Sequence, residues 1–164
     1  MEIRVQELTA ATFAPFGEVV QAPAWGPDAD GPGWQWWAET ALLPARGRPY
    51  GIGYLRLEPP ELQFDWAERH MRTVEMLIPA GGECLVYVGP PENPEEPAQR
   101  PDLARLQVFR VGEGQAVILK PGVWHGAPLA ADGPLAVLVL LLEGTGREDT
   151  TVVRFEETPV TIVP

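Results

Sequence analysis

The chain has 164 residues, with 23 acidic side chains against 12 basic ones, a formal net charge of −11 and 45% hydrophobic residues. That length suits one domain over residues 1–164 with a buried core of its own, and the hydrophobic share excludes general disorder. The acidity argues against nucleic acid and against an anionic membrane surface as partners, because phosphates repel it.

The 19 prolines and 17 glycines predict many short strands punctuated by turns. Leu8 to Gly17 reads as a short helical turn capped by Thr9 and stopped near Pro15. Gly17 to Val20 then reads as a strand, and the Gly-, Pro- and Asp-rich stretch Ala22 to Gly33 as a long surface loop. Trp34, Trp36 and Trp37 form an aromatic cluster too apolar to leave in water. They are expected to pack on the protein body or on a partner subunit, with a sugar-binding platform as the other reading.

From Tyr50 onward the pattern is strand after strand. Tyr50–Leu57 and Phe64–His70 are candidates, followed by Val74–Pro79 and Glu83–Gly89, whose Ala80-Gly81-Gly82 connection has hairpin length. Cys84, alone of its kind, can form no internal disulfide and is expected to be an inert core thiol. Pro90 to Pro101 is an acidic, proline-rich loop. Arg105–Val111 and Gln115–Lys120 are expected to pair around Gly112-Glu113-Gly114. The apolar run Leu135 to Leu142 suits a strand buried on both faces, and falls far short of the ~20 residues of a membrane helix. Arg147-Glu148-Asp149 reads as a turn, and Thr151–Phe155 and Val160–Val163 close the chain. Eight or more short strands with glycine turns, and no long helix, predict a barrel or jelly roll. Nothing in the sequence reads as a secretory signal, so a soluble intracellular protein is expected.

The chain has only two histidines, and each lies in a segment suited to a metal. Glu68 and His70 share one face of a strand. If the chain turns at Met71-Arg72-Thr73, Glu75 begins the next strand and looks back into the same cavity, where His125 completes the group. Two imidazoles with one or two carboxylates suit Mn, Ni, Zn or Fe as a divalent ion. Glu75 stands between Val74 and Met76 in an apolar stretch, and glutamate is seldom buried without a partner. An ion pair with Arg69 or Arg72 is the competing explanation. Two carboxylates on one cavity repel by about 4 kcal/mol at about 4 Å with an effective dielectric of about 20, which a dication would reverse.

Other candidates are less constrained. Lys120, at a strand end, either holds a substrate carboxylate at the barrel mouth or is solvated. Arg72 has the same anion-holding option, whereas Arg69 reads as structural. Trp124 either walls the pocket or packs in the core. The apolar face made by Val74, Met76 and Ile78, opposite Glu75, needs a cover, for which a second subunit is one choice.

These residues resemble the cupin superfamily. Its first motif has His-x-His, then Glu, then Gly; here Glu68, His70, Glu75 and Gly82 stand at those places. Its second motif ends in Pro-x-Gly-x-x-His, matched by Pro121-Gly122-Val123-Trp124-His125 with the proline moved next to the glycine and Leu129 in place of Asn. Within that superfamily the chain resembles the ureidoglycolate lyase family, through Leu8–Gly17, Glu68-Arg69-His70 running into Ile78-Pro79, Leu85-Val86-Tyr87-Val88, and Gly122-Val123-Trp124-His125 with Pro128. It departs from that family at Glu75, usually Gln, at Val74, usually Ser, and at Gly126, usually His or another polar residue. The resemblance implies an all-β cupin-type double-stranded β-helix. It also implies a cytoplasmic, homodimeric enzyme that splits ureidoglycolate into glyoxylate and urea in purine breakdown.

In such a reaction a hydroxy acid chelates a dication through carboxylate and hydroxyl, the metal lowers the hydroxyl pKa, and Glu75 or Glu68 takes the proton while urea departs. The site so implied has Glu75, Glu68 and Lys120 as catalytic groups and Arg72, Lys120 and Trp124 as substrate contacts. The metal ligands would be His70, Glu75, His125 and Glu68. A dioxygenase, isomerase or epimerase of the same superfamily, or a non-enzymatic metabolite-binding barrel, is the alternative.

Overall fold

The computed structural model describes residues 1–44, 46–59, 61–91, 96, 99–155 and 159–164. In chain order the strands begin with β1 (Glu2–Gln6), the one-turn helix α1 (Ala10–Phe13), β2 (Gly17–Val20), β3 (Ala29–Gly31), β4 (Trp34–Trp36), β5 (Tyr50–Leu57), β6 (Gln63–Phe64) and β7 (Trp66–Arg69). There follow β8 (Glu75–Ala80), β9 (Cys84–Gly89), a 3-10 turn (Leu103–Arg105), β10 (Gln107–Val111), β11 (Ala116–Leu119), β12 (Trp124–His125) and β13 (Leu129–Ala130). The chain closes with β14 (Leu135–Leu142), the short helix α2 (Thr145–Glu148), β15 (Thr151–Arg154) and β16 (Val160–Val163).

Two curled sheets face each other. The larger runs β15-β7-β12-β9-β10-β1-β16-β6, with β13 also on β9; the smaller runs β2-β11-β8-β14-β5. This is the expected all-β, cupin-type jelly roll. Its core lies between the sheets, where Phe13, Phe16, Leu77, Val86, Val88, Phe109, Val117, Leu119 and Val137 are buried. A second cluster, with Phe64, Leu85, Tyr87, Val108, Trp124, Val160 and Ile162, covers the outer face of the larger sheet. Strand β9 is therefore buried on both sides, its alternate residues serving the two clusters.

Several expectations hold in detail. Thr9 caps α1 through a reciprocal box with Thr12. β2, β5 and β16 occupy the anticipated spans. Other expectations are corrected. Phe64–His70 is two strands, β6 and β7, and the Arg147-Glu148-Asp149 turn is the end of α2. β8 and β9 are not a hairpin: β8 pairs with β11 and β14, whereas β9 pairs with β10, β12 and β13. β10 and β11 likewise belong to different sheets. Both glycine turns carry the chain across the gap between sheets, so the strands on either side of each turn find their ladder partners elsewhere.

β14 is not sealed on both faces either, since Leu138, Val139, Leu140 and Leu141 remain partly accessible. Residues 22–33 are not wholly loop, because Ala29–Gly31 pairs with Trp34–Trp36. That hairpin leaves Trp34 and Trp36 more than half exposed. Trp36 and Trp37 nevertheless border a groove of about 400 Å³ over Met76 and Ile78, so this chain itself supplies part of that face's cover. The Pro90–Pro101 loop lies partly outside the described residues.

Candidate metal centre

The site forms where β7 and β12 of the larger sheet face β8 and β14 of the smaller. His125 pairs in register with Glu68, so those two neighbours start from one rung of the ladder. His70 follows the last residue of β7, and Glu75 opens β8 four residues after the turn begins. A cavity of about 360 Å³ lies against them, lined by Glu68, His70, Glu75, Ala127, Pro128 and Thr150, with parts of β5 and β14. Its opposite wall is apolar, from Leu55, Val139 and Leu141.

Glu75 lies at the centre of the polar group. Its Oε2 is 3.1 Å from His125 Nε2 and 3.2 Å from His70 Nε2. The two rings are 5.2 Å apart and tilted by 65°. His125 Nδ1 lies 2.9 Å from the Val123 carbonyl oxygen, and His70 Nδ1 lies 2.9 Å from that of Asp149. A carbonyl oxygen can only accept, so both Nδ1 atoms carry protons and donate. Each neutral ring then turns a bare Nε2 lone pair toward a carboxylate oxygen. Such a convergence of acceptors is repulsive unless imidazolium protons or a cation stand between them.

The electrostatics follow the same geometry. Burial by itself would drive the Glu75 carboxyl up, but His125, and behind it His70, pull it down to about 2. Burial opposes charge on His125, yet the Glu75 carboxylate, the Val123 carbonyl and Glu68 raise its pKa above the ordinary imidazole value. Glu75 is thus an anion, and its partner favours a positive charge.

Glu68, His70 and His125 each offer a ligand atom, all within 4.8 Å of one another. An ion bonded at about 2.1 Å to nitrogen and oxygen donors separates any two of them by at most about 4.2 Å. Small side-chain adjustments close that difference. The donor set of two imidazole nitrogens and carboxylate oxygens therefore fits a divalent transition ion. Glu75 lies against both histidines of this group, so the structure brings His70, His125, Glu75 and Glu68 into one neighbourhood.

Lys120, Arg72 and Trp124 do not join them. Lys120 Nζ donates to the Ala14 carbonyl at 2.6 Å, closing the end of α1, because its own N–H bonds the Phe16 carbonyl just before β2 and places it beside that end. Arg72 is held at the surface by Asp149, through Nε to Oδ1 at 3.5 Å, and by the Glu148 carbonyl at 2.6 Å. Trp124 precedes His125 in β12, so its ring points to the other face of the sheet. There it is buried in the outer cluster beneath the Arg69 guanidinium, 4.6 Å from the ring centre. Among the described residues lining the cavity there is no lysine or arginine. Glu75 does not pair with Arg69 or Arg72; its partners are the two histidines.

Gly126 has a local cause. A Cβ there would lie 1.6 Å from the Tyr87 hydroxyl, which donates to the Trp66 carbonyl at 2.9 Å. No side chain fits at that position beside Tyr87. Sequence reading missed Asp149 and Thr150, both of which contact His70. Their distance along the chain from His70 left no signal of that contact.

The model of one family, described as ureidoglycolate lyase, matches residues 1–163. The chain belongs to the ureidoglycolate lyase family. It is accordingly a lyase acting on ureidoglycolate. No curated protein matches the chain. Among solved structures it is similar to a dTDP sugar isomerase from Desulfovibrio desulfuricans G20, at 16% identity and a TM-score of 0.49, over 86% of this chain and 83% of that one.

Proposed function

We propose that this protein cleaves ureidoglycolate to glyoxylate and urea at a divalent metal centre held by His70, His125, Glu75 and Glu68. The observation that carries this reading is the approach of two Nε2 atoms to one Glu75 oxygen, both Nδ1 atoms being already committed to carbonyls. A bound dication would supply Lewis acidity toward the substrate hydroxyl and positive charge for the carboxylate. That charge matters because no described lysine or arginine lines the cavity.

The protein's own groups supply the rest. Glu75, shared between two imidazoles, orients both rings and is poorly placed to exchange protons. Glu68 lines the cavity and forms no hydrogen bond among the described residues, so the carboxylate oxygen it does not lend to the ion serves as the base. It takes the proton of the C–OH group as the carbon–nitrogen bond breaks. The C–O bond becomes the aldehyde carbonyl of glyoxylate, and the bonding electrons leave with the urea nitrogen. Glu68 then returns the proton to that nitrogen, so no other reagent is consumed. The apolar wall of Leu55, Val139 and Leu141 limits water around the reacting carbon.

The test is release of glyoxylate from ureidoglycolate by the purified protein with Mn, Ni, Zn or Fe(II). Turnover lost on chelation and restored by one of these ions is the expected result. A rate equal to spontaneous decay with every ion would sink the assignment.

The same reading makes the protein a cytoplasmic homodimer. Strand β5 ends the smaller sheet and exposes Ile52 and Tyr54, an apolar edge that a second subunit would cover. No helix among the described residues is long and apolar enough to cross a membrane. A monomeric mass in solution at micromolar concentration would remove the dimer.

A further inference from the structure

His70 lies just beyond the last residue of β7, so the β7–β15 ladder, which ends with Arg69 opposite Thr151, does not hold it. We propose that Asp149 is the positioning residue for His70, fixing both its place and its tautomer. Every polar group of Asp149 is used for this. Its N–H donates to the Thr145 carbonyl at 2.9 Å, which anchors it to α2. Its carboxylate accepts from the Met71 and Arg72 backbone N–H groups at 3.0 and 2.8 Å. Its carbonyl accepts from His70 Nδ1 at 2.9 Å. One residue thus grips the ring and the two residues that follow it.

The tautomer is contested. Left to itself, the Glu75 carboxylate 3.2 Å away favours a proton on His70 Nε2, which would give a charge-assisted hydrogen bond. That form leaves Nε2, the nitrogen facing the cavity, without a lone pair for a metal. The Asp149 carbonyl favours the proton on Nδ1, leaving Nε2 bare toward the cavity. Thr150 Oγ1 is 3.3 Å from the same Nδ1 but donates its own proton to the Thr145 carbonyl at 3.1 Å. Its hydroxyl can add only a second, longer acceptor. The carboxylate grip on Met71 and Arg72 keeps the Asp149 carbonyl within reach of the ring, so losing it frees His70 to follow Glu75.

The inference rests on the metal-centre reading for its effect on affinity, but not for its effect on the tautomer. The chain has two histidines, so ring nitrogen spectra of labelled protein contain two sets of signals, assigned with His125→Gln. In metal-free protein at alkaline pH, His70 is expected as the Nδ1–H form. Asp149→Ala is expected to move it toward the Nε2–H form and to weaken Mn²⁺ binding about 10- to 100-fold. Asp149→Asn keeps one acceptor oxygen and should show a smaller change in the same direction. Thr150→Val should leave the tautomer unchanged.

Unaltered ring signals and Mn²⁺ affinity in folded Asp149→Ala would overturn the proposal, as would a tautomer switch in Thr150→Val matching that expected for Asp149. If Asp149→Ala does not fold, the same two readouts on Asp149→Asn decide. A tautomer switch in a protein whose wild type binds no Mn²⁺ would leave this role standing and remove the metal centre instead.

Discussion

His125 presents Nε2 to Glu75 Oε2 at 3.1 Å while its Nδ1 proton is committed to the Val123 carbonyl. A neutral His125 therefore has nothing to donate to its nearest neighbour, and His70 stands in the same relation to Glu75. The pair of contacts describes a place where positive charge is required. Protonation of His125, which the Glu75 carboxylate favours, meets the requirement there in the metal-free protein, and a bound dication would meet it in a loaded one. Metal binding and imidazole protonation would thus compete for the same lone pairs.

Replacing Glu75 by Gln tests that competition. The amide keeps the shape but removes the anion, and its NH₂ group can donate directly to an Nε2 lone pair. The bare nitrogens are then satisfied without a cation. Glu75→Gln should fold and bind Mn²⁺ or Zn²⁺ at least about tenfold more weakly, measured by calorimetry. Unchanged affinity would show that the Glu75 charge does not contribute to the centre.

Stability of the metal-free protein should depend on pH in a defined way. The Glu75 carboxyl, ordinarily near 4.5, is drawn down to about 2 in the folded chain. Its contribution is present above the unfolded value and lost as pH falls toward the folded one. His125 is raised above its ordinary 6.5, so its contribution is complete below that value and lost as pH rises through the folded one. Both are complete only between those ordinary values, so the melting temperature of metal-free protein should peak in mildly acidic buffer and decline on the alkaline side. Added metal should offset the alkaline decline, because it takes over the lone pairs. A melting temperature that climbs steadily from acid into alkaline buffer would contradict the protonated arrangement.

Lys120 carries a prediction of the opposite kind. Its ammonium ends on the Ala14 carbonyl, outside the cavity. Lys120→Ala should leave KM for ureidoglycolate within about twofold and lower the melting temperature slightly, since a charged hydrogen bond at an exposed helix end contributes modestly. A tenfold or larger rise in KM, well above this uncertainty of about 0.4 kcal/mol, would return Lys120 to substrate binding.

What the sequence made legible, and what it hid, has a physical pattern. Strands such as Tyr50–Leu57 and Val160–Val163 are marked by local alternation and by Gly or Pro at their borders, so their spans could be read directly. Their partners could not. Gly81-Gly82 and Gly112-Glu113-Gly114 have the chemistry of hairpin turns, yet both hand the chain from one sheet to the other. Which outcome occurs is decided by pairing with strands dozens of residues away. The centre was legible because a carboxylate in an apolar strand and two histidines beside carboxylates and glycine turns are locally conspicuous. Lys120 and Arg72 misled because the direction of a long, flexible side chain is not contained in its spacing. Trp124 is different: the two-residue period of a strand already sends it to the face opposite His125. Asp149 was hidden because its contact with His70 spans 79 residues and uses a backbone carbonyl, which every residue possesses.

Glu68 is the remaining test of the chemistry. It faces the cavity with its carboxylate free of hydrogen bonds among the described residues, unlike Glu75, which two imidazoles hold. A group that must take a proton from the substrate hydroxyl and return it to nitrogen needs that freedom. Glu68→Gln retains the volume and an oxygen that can face the ion but cannot accept the proton. Its kcat should fall by about 10²- to 10⁴-fold. Metal content should stay close to that of the wild type, because three other donors remain. Loss of metal together with activity would instead make Glu68 chiefly a ligand, and the proton would then have to pass to another group at the cavity. Retention of both would remove Glu68 from the reaction altogether. Measuring kcat and bound metal on the same preparation separates these outcomes, since only the base role uncouples one from the other.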